Sequence, residues 1–399
     1  MGVLDAHSGL NATFIEQMPE PGAIALISQS GAIGGALIDW ARGQHIGLSH
    51  FSSLGNAADV NETDMLLALS DDPNTAVITA YIEGIRDGVA FMDAARRVTR
   101  HKPVVALKVG VTEAGARAVA SHTASLAGVD VAYSTAFAQC GVIQAQTAED
   151  LFGIALGLAC QRPPRGNRVA IITNAGGPSA IAADALQRND LTLPEPDKDA
   201  HDALRAAFGP APQLFNPIDL LGAASTQEFE TAARILLAND RYDSILAVLV
   251  PNTANDPVGI ADGLARAAAE SDKPIYACYM GDVSVREGKE RLHQLRIPSY
   301  AFPENAASAL GAARSWQRWL DTPVSQLEIP KPLPRIVRQT LDHYLSSGST
   351  ALGATTASLS PSSLAVAVAT KDLPNPISEA SSATPRCCTA SAMRPAWVF

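Results

Sequence analysis

Short apolar runs recur along the chain, each followed by a turn and then by a stretch with helical spacing. Ala23-Ile24-Ala25-Leu26-Ile27 is the first run. It reads as a buried parallel strand, because a strand covered on both faces has no polar alternation. A Ser/Gly turn follows, then a helix over residues 34–42. The plan repeats with a strand at residues 76–81, a helix at 91–99 and a strand at 103–108. Arg96, Arg97 and Arg100 crowd the end of that helix, where cations favour the helix dipole. This rhythm predicts βαβ units and a doubly wound parallel sheet.

A polar, proline-containing segment, residues 161–167, breaks the pattern and reads as a linker. The pattern then restarts with a strand at 169–172 and a helix at 180–188. Strands at 244–250 and 274–279 follow, with a helix at 260–269 between them. The two halves echo each other. Ala25-Leu26-Ile27-Ser28-Gln29-Ser30-Gly31 and Ala170-Ile171-Ile172-Thr173-Asn174-Ala175-Gly176-Gly177 both run from an apolar strand through hydroxyl and amide residues to glycine. The expected fold class is α/β: two doubly wound parallel-sheet domains over residues 21–160 and 168–325. Residues 348–399 are rich in Ser, Ala, Thr and Pro with few charges, so 326–399 are expected to be a linker and a disordered, low-complexity tail.

Composition narrows the classes. The 399 residues suit two or three domains at about 150 residues each. Net charge is −10, which argues against non-specific nucleic-acid binding, since that needs basic faces to release phosphate counterions. No run of about 18 apolar residues offers a membrane span. The first residues lack the basic and apolar regions of a signal peptide. Five cysteines without a CxxC pair fit a reducing cytoplasm, the expected location, and no metal site is expected.

Five clusters carry candidate chemistry. Ser28, Gln29, Ser30 and Gly31, and likewise Thr173, Asn174, Gly176 and Gly177, stand where a strand gives way to a helix. The first amides of a helix lack internal partners and carry partial positive charge, so both junctions suit an anion. Ordinary helix capping would use the same residues. Neither junction matches GxGxxG or GxxxxGK[ST], which speaks against a nicotinamide oxidoreductase and a P-loop. His122 lies among small residues and hydroxyls in Ser121-His122-Thr123-Ala124-Ser125, with room for a substituent on the ring. A neutral imidazole can act as a nucleophile, although spacing alone favours a hydrogen-bonded loop histidine. Glu83 ends a strand, where open α/β sheets place ligands, and could fix the tautomer of a histidine or be a solvated loop carboxylate. Asn216 and Asp219, in Asn216-Pro217-Ile218-Asp219, form a polar turn of Asx type.

Together these segments resemble the NDP-forming acyl-CoA synthetases, relatives of succinyl-CoA synthetase. The resemblance rests on SQSGAIGGAL (28–37), SLGNAADV (53–60), YIEGIRDG (81–88), SHTASLAG (121–128), TNAGGPSAIAADAL (173–186) and NPIDLLG (216–222). It implies that both parallel-sheet domains are flavodoxin-like, that acyl-CoA and phosphate give an acyl phosphate and CoA, and that a histidine then carries the phosphoryl group to a nucleoside diphosphate. The histidine falls on His122 and its orienting carboxylate on Glu83. Phosphate-facing helix starts fall on residues 28–31 and 173–177, and substrate contacts on Gly55, Asn56, Asn216 and Asp219. Ala124 stands where glycine is common in the family.

The resemblance also implies an N-terminal CoA-binding domain, of which residues 1–20 would be a remnant. It further implies an ATP-grasp module bringing ATP or ADP with Mg, on the same chain or as a partner subunit, or a second copy of this chain as partner. On that basis the chain is expected to be a fragment, inactive alone, with the tail an out-of-frame continuation. A second reading is a non-catalytic regulatory module, like the CoA-ligase-like part of protein lysine acetyltransferases.

Overall fold

The computed structural model describes residues 2–123, 130–210 and 212–323, which fall in one compact unit. The tail lies outside the described residues. In the first half the elements are β1 (Val3–Asp5), β2 (Leu10–Ala12), β3 (Pro21–Ser28), α1 (Gly31–Gly43), β4 (Leu48–Ser53), α2 (Glu62–Ser70), β5 (Val77–Ile82), α3 (Gly88–Val98), β6 (Val104–Lys108), α4 (Glu113–Thr123), α5 (Asp130–Cys140), β7 (Ile143–Ala145) and α6 (Ala148–Cys160). They build a seven-stranded sheet in the order β2-β1-β4-β3-β5-β6-β7. From β4 to β7 every pairing is parallel, while β1 runs antiparallel to both β2 and β4. The parallel part therefore reads second-first-third-fourth-fifth in chain order, the flavodoxin-like winding.

In the second half the elements are β8 (Val169–Thr173), α7 (Gly176–Arg188), α8 (Lys198–Phe208), β9 (Gln213–Leu214), β10 (Ile218–Asp219), α9 (Thr226–Ala238), β11 (Ser244–Leu249), α10 (Pro257–Ala268), β12 (Ile275–Tyr279), α11 (Arg286–Gln294), β13 (Ser299–Tyr300) and α12 (Pro303–Asp321). The sheet order is β13-β12-β11-β8-β10-β9, parallel except for β9 against β10. In both halves the strand that carries the Ser/Gly or Thr/Gly turn is central. One neighbour is joined to it by the first crossover, and the next strand lies on its other side. That is the switch point where doubly wound sheets open a crevice.

Both faces of the central strands are covered, which explains their unbroken apolar runs. Ala25 and Ile27 enter a core with α2, α3 and α5, whereas Ile24 and Leu26 point the other way. In the second sheet Ala170 and Ile172 face α9 and α10, while Val169 and Ile171 point back. The two inward faces meet in one shared core, to which α1, α6, α7 and α12 all contribute, so the two sheets are joined by a common helical layer.

Three differences from the expected elements have physical reasons. First, α1 starts at Gly31 and α7 at Gly176, before the expected 34 and 180. Glycine is a poor helix former in isolation, but packing overrides that here. At Gly34 a Cβ would come within 2.6 Å of the Phe51 ring, so only glycine lets α1 sit this close to β4. Second, residues 3–12 form a hairpin on the sheet edge, anchored by fully buried Leu4. Third, the two-residue strands β9 and β10 carry no periodic signal and exist through pairing, β10 with β8 and β9 with β10.

Candidate functional site

The echo between the halves extends from sequence to hydrogen bonds. At the end of β3, Ser28 Oγ donates to the Ser30 carbonyl (2.7 Å) and accepts the Ser30 N–H (3.2 Å). At the end of β8, Thr173 Oγ1 donates to the Ala175 carbonyl (3.1 Å) and accepts the Ala175 N–H (3.0 Å). Each buried hydroxyl thus folds the chain over its own strand end and fixes the residue at the N-cap position of the following helix. The amide between them repeats too. Gln29 Oε1 accepts the N–H groups of Glu83 (2.6 Å) and Gly84 (3.0 Å), and its Nε2 donates to the Gly84 carbonyl (2.8 Å). Asn174 Oδ1 accepts the Val250 N–H (2.9 Å), and its Nδ2 donates to the Val250 carbonyl (2.8 Å). Gln29 clamps the chain leaving β5, and Asn174 clamps the chain leaving β11, the corresponding neighbour.

These clamps leave a defined set of groups open. Helix geometry gives the Gly31 and Ala32 amides of α1, and the Gly176 and Gly177 amides of α7, no intrahelical partner. Ser30 caps α1 through the Ile33 N–H at 3.4 Å, whereas no side chain caps α7. Asp219 stands at the α7 tip: its Oδ2 would lie 3.7 Å from a Cβ at Gly176, and its Oδ1 takes the Leu221 N–H. Asn216 is elsewhere. Its amide accepts from the Ile171 N–H and donates to the Val169 and Pro194 carbonyls, near the start of β8 rather than its carboxyl end.

A cleft of about 690 Å³ opens beside the first turn, with Gln29, Gly55, Asn56 and Glu83 on its walls. Gly55 (φ +54°) turns the chain there, and Arg86 donates to the Asn56 carbonyl at 2.8 Å. Two further wall residues carry chemistry that the sequence did not single out. Glu62 is 4% exposed and takes the second Nε2 hydrogen of Gln29 at 3.0 Å. Burial pushes its carboxyl above the ordinary value, while its own backbone amide, Gln29 and Arg86 pull the other way. Lys108, buried at the end of β6, donates to the Glu83 carbonyl at 3.0 Å. A charged residue closing an otherwise apolar strand was its only signal in the sequence.

His122 falls in the last turn of α4. Its side chain, and all of residues 124–129, lie outside the described residues. No group of three or more metal-ligating side chains occurs among the described residues, and none of the helices there is long and apolar enough to cross a membrane.

Comparison with known proteins adds a family. The succinyl-CoA ligase like flavodoxin domain matches residues 21–158, and the Ligase-CoA domain matches residues 169–322. The alpha subunit of ADP-forming acetate–CoA ligase II of Pyrococcus furiosus is 39% identical over 313 residues, 77% of this chain and 68% of that protein. The alpha subunit of ligase I from the same organism is 39% identical over 320 residues, 80% of this chain and 69% of its own length. The solved structure of Candidatus Korarchaeum cryptofilum acetyl-coenzyme A synthetase 1, in complex with phosphate and ADP, superposes with a TM-score of 0.76 at 34% identity, covering 81% of this chain and 71% of that one.

Proposed function

Since the chain belongs to the NDP-forming acyl-CoA synthetases, the succinyl-CoA synthetase-like ligases, we propose that it supplies the phosphoryl-carrying part of such an enzyme. His122 takes the phosphoryl group from an acyl phosphate, formed from acyl-CoA and phosphate, and hands it on to ADP; in reverse the acid is activated. The P–O bond to the acyl group breaks as the P–N bond forms, and the carboxylic acid leaves as its anion. Glu83 holds the N–H of the other ring nitrogen, so the lone pair that attacks is the one facing phosphorus.

The observation that carries this reading is the repeated turn. Ser28 with Gln29 and Thr173 with Asn174 spend their side chains on shaping two strand ends. What they present are bare helix-start amides at Gly31, Ala32, Gly176 and Gly177, rather than side-chain ligands. Two such tips suit a phosphoryl group of about two negative charges. Each contributes about 0.3–1 kcal/mol through its dipole. Each amide–oxyanion hydrogen bond adds about 1.5–3 kcal/mol. Exchange with the nucleotide is assigned to an ATP-grasp partner subunit, in line with the similar Pyrococcus proteins being alpha subunits.

The test is labelling. The full chain, incubated with acetyl phosphate carrying a labelled phosphorus, should acquire an acid-labile, base-stable phosphate. His122→Ala should abolish it. Equal labelling of that variant would remove His122 from the role.

A further inference from the structure

Among the described residues the main chain around Glu83 is held on every side. Gln29 takes the N–H of Glu83 and both the N–H and the carbonyl of Gly84. Tyr133, on α5, accepts the Ile85 N–H at 3.1 Å. Lys108, 4% exposed, takes the remaining Glu83 group: its ammonium donates to the Glu83 carbonyl at 3.0 Å and to the Val109 carbonyl. The same ammonium lies 4.6 Å from the centre of the Tyr133 ring. Three side chains, from the turn after β3, from β6 and from α5, thus fix five consecutive main-chain groups, and the carboxylate is the polar part of Glu83 left for the cleft.

We propose that Lys108 is a positioning residue for phosphoryl transfer, holding the Glu83 main chain, and with Tyr133 its neighbours, so that the carboxylate keeps one direction. This rests on the phosphohistidine reading above.

The chemistry favours a positioning role over filler. Burying an ammonium is costly unless its donors are matched, and here two carbonyls and an aromatic face match them. An apolar residue of similar length would cover the same surface without that cost, but could not bind a carbonyl. Lys108 also stands among the two carboxylates that bracket the site in sequence. Burial lowers the pKa of its amine, and Asp130 and Glu83 oppose that shift. Asp130 opens α5 directly after the segment that carries His122 (121–128), and its Oδ1 is buried without a hydrogen-bond partner. The cation therefore joins the Glu83 loop to the helix that follows the histidine motif.

The experiment compares the wild-type full chain with Lys108→Met, Tyr133→Phe and a control, Lys102→Met. Lys102 anchors the Leu69 and Asp72 carbonyls elsewhere in the same half. Two quantities are read: amide hydrogen exchange at residues 83–85, and labelling from acetyl phosphate as a function of its concentration. Lys108→Met should speed exchange at 83–85 about tenfold and lower the maximal labelling rate about tenfold or more, with half-saturation moving less than about twofold. Tyr133→Phe should speed exchange at Ile85 alone, and Lys102→Met should change neither quantity. Unchanged exchange, or a wild-type labelling rate, in Lys108→Met overturns the proposal. Failure of the wild-type chain to label overturns the phosphohistidine reading instead, and the exchange comparison still decides whether Lys108 positions Glu83.

Discussion

The side-chain carbonyl of Gln29 accepts the backbone N–H of Glu83 at 2.6 Å, bridging 54 positions of sequence. Its Nε2 completes the clamp by donating to Gly84 and to buried Glu62. Gln29→Glu keeps the shape but turns the donor into an oxygen facing both the Gly84 carbonyl and the Glu62 carboxylate. Stability should fall by about 1–3 kcal/mol, the cost of unmatched buried polar groups, read from urea unfolding. Labelling of His122 should fall about 10–100-fold as the Glu83 loop loses its anchor.

Glu62 should give the protein a stability that declines with rising pH. Its folded-state carboxyl titrates above its ordinary value because it is buried. Protonated Glu62 is therefore favoured in the folded chain. Its contribution is complete below the ordinary value of 4.5 and is lost as pH climbs through the raised one. Glu62→Gln should remove this loss. Melting temperatures of the two proteins should diverge from pH 4.5 upward, with the variant the more stable near pH 7.

Much of the fold was legible because its central strands are buried on both faces. Ala25 and Ile27 serve one core and Ile24 and Leu26 the other, so the run shows no polar break. The short strands β9 and β10 were not legible. Ile218 and Asp219 become a strand only by pairing, with Ile172 and Thr173 on one side and with Leu214 and Gln213 on the other. At the site, the places of Gln29 and Asn174 were readable but their work was not. Both looked like phosphate donors, yet each amide is spent on a segment more than 50 positions away. Asn216, grouped by motif with Asp219, turns to the start of β8, while Asp219 stands at the α7 tip. Local sequence shows residue type and spacing; it does not show which long-range main-chain group a polar side chain will take.

The acid side of the stability profile should belong largely to His293. Burial, with help from the positive charges of His45 and Lys289, lowers its pKa to about 4. The folded chain thus holds it neutral while the unfolded chain protonates it near 6.5. Stability from this residue is complete above 6.5 and is lost as pH falls toward 4, on the order of 3 kcal/mol in all. Urea unfolding of His293→Gln between pH 7 and pH 4 should show a flatter profile than that of the wild-type chain.

Arg100 should be a main tie between the two halves. Its guanidinium donates to the Trp319, Leu320 and Thr322 carbonyls at the end of α12 and lies 4.3 Å from the Trp319 ring centre. It thereby holds the carboxyl-terminal end of a helix that packs against both α6 and α7. Arg100→Ala should cost about 1–3 kcal/mol in chemical unfolding. Arg100→Lys should recover little, because a point charge cannot reproduce a planar fork stacked on indole.

The bare start of α7 should trade stability against function. Ala175 holds the N-cap position with φ −152° and ψ 127°, a backbone that suits a capping side chain, yet it provides none. Ala175→Asp would let a carboxylate accept the Gly177 amide and face the positive end of the helix. Against the nearby Asp219 charge this should still add about 0.5–1 kcal/mol, seen as a higher melting temperature. The same carboxylate would occupy the amides proposed to receive the phosphoryl oxygens and would repel their charge. Labelling of His122 should therefore fall at least about tenfold while the fold grows more stable. A more stable variant that labels like the wild-type chain would show that the α7 tip takes no part in holding the phosphoryl group.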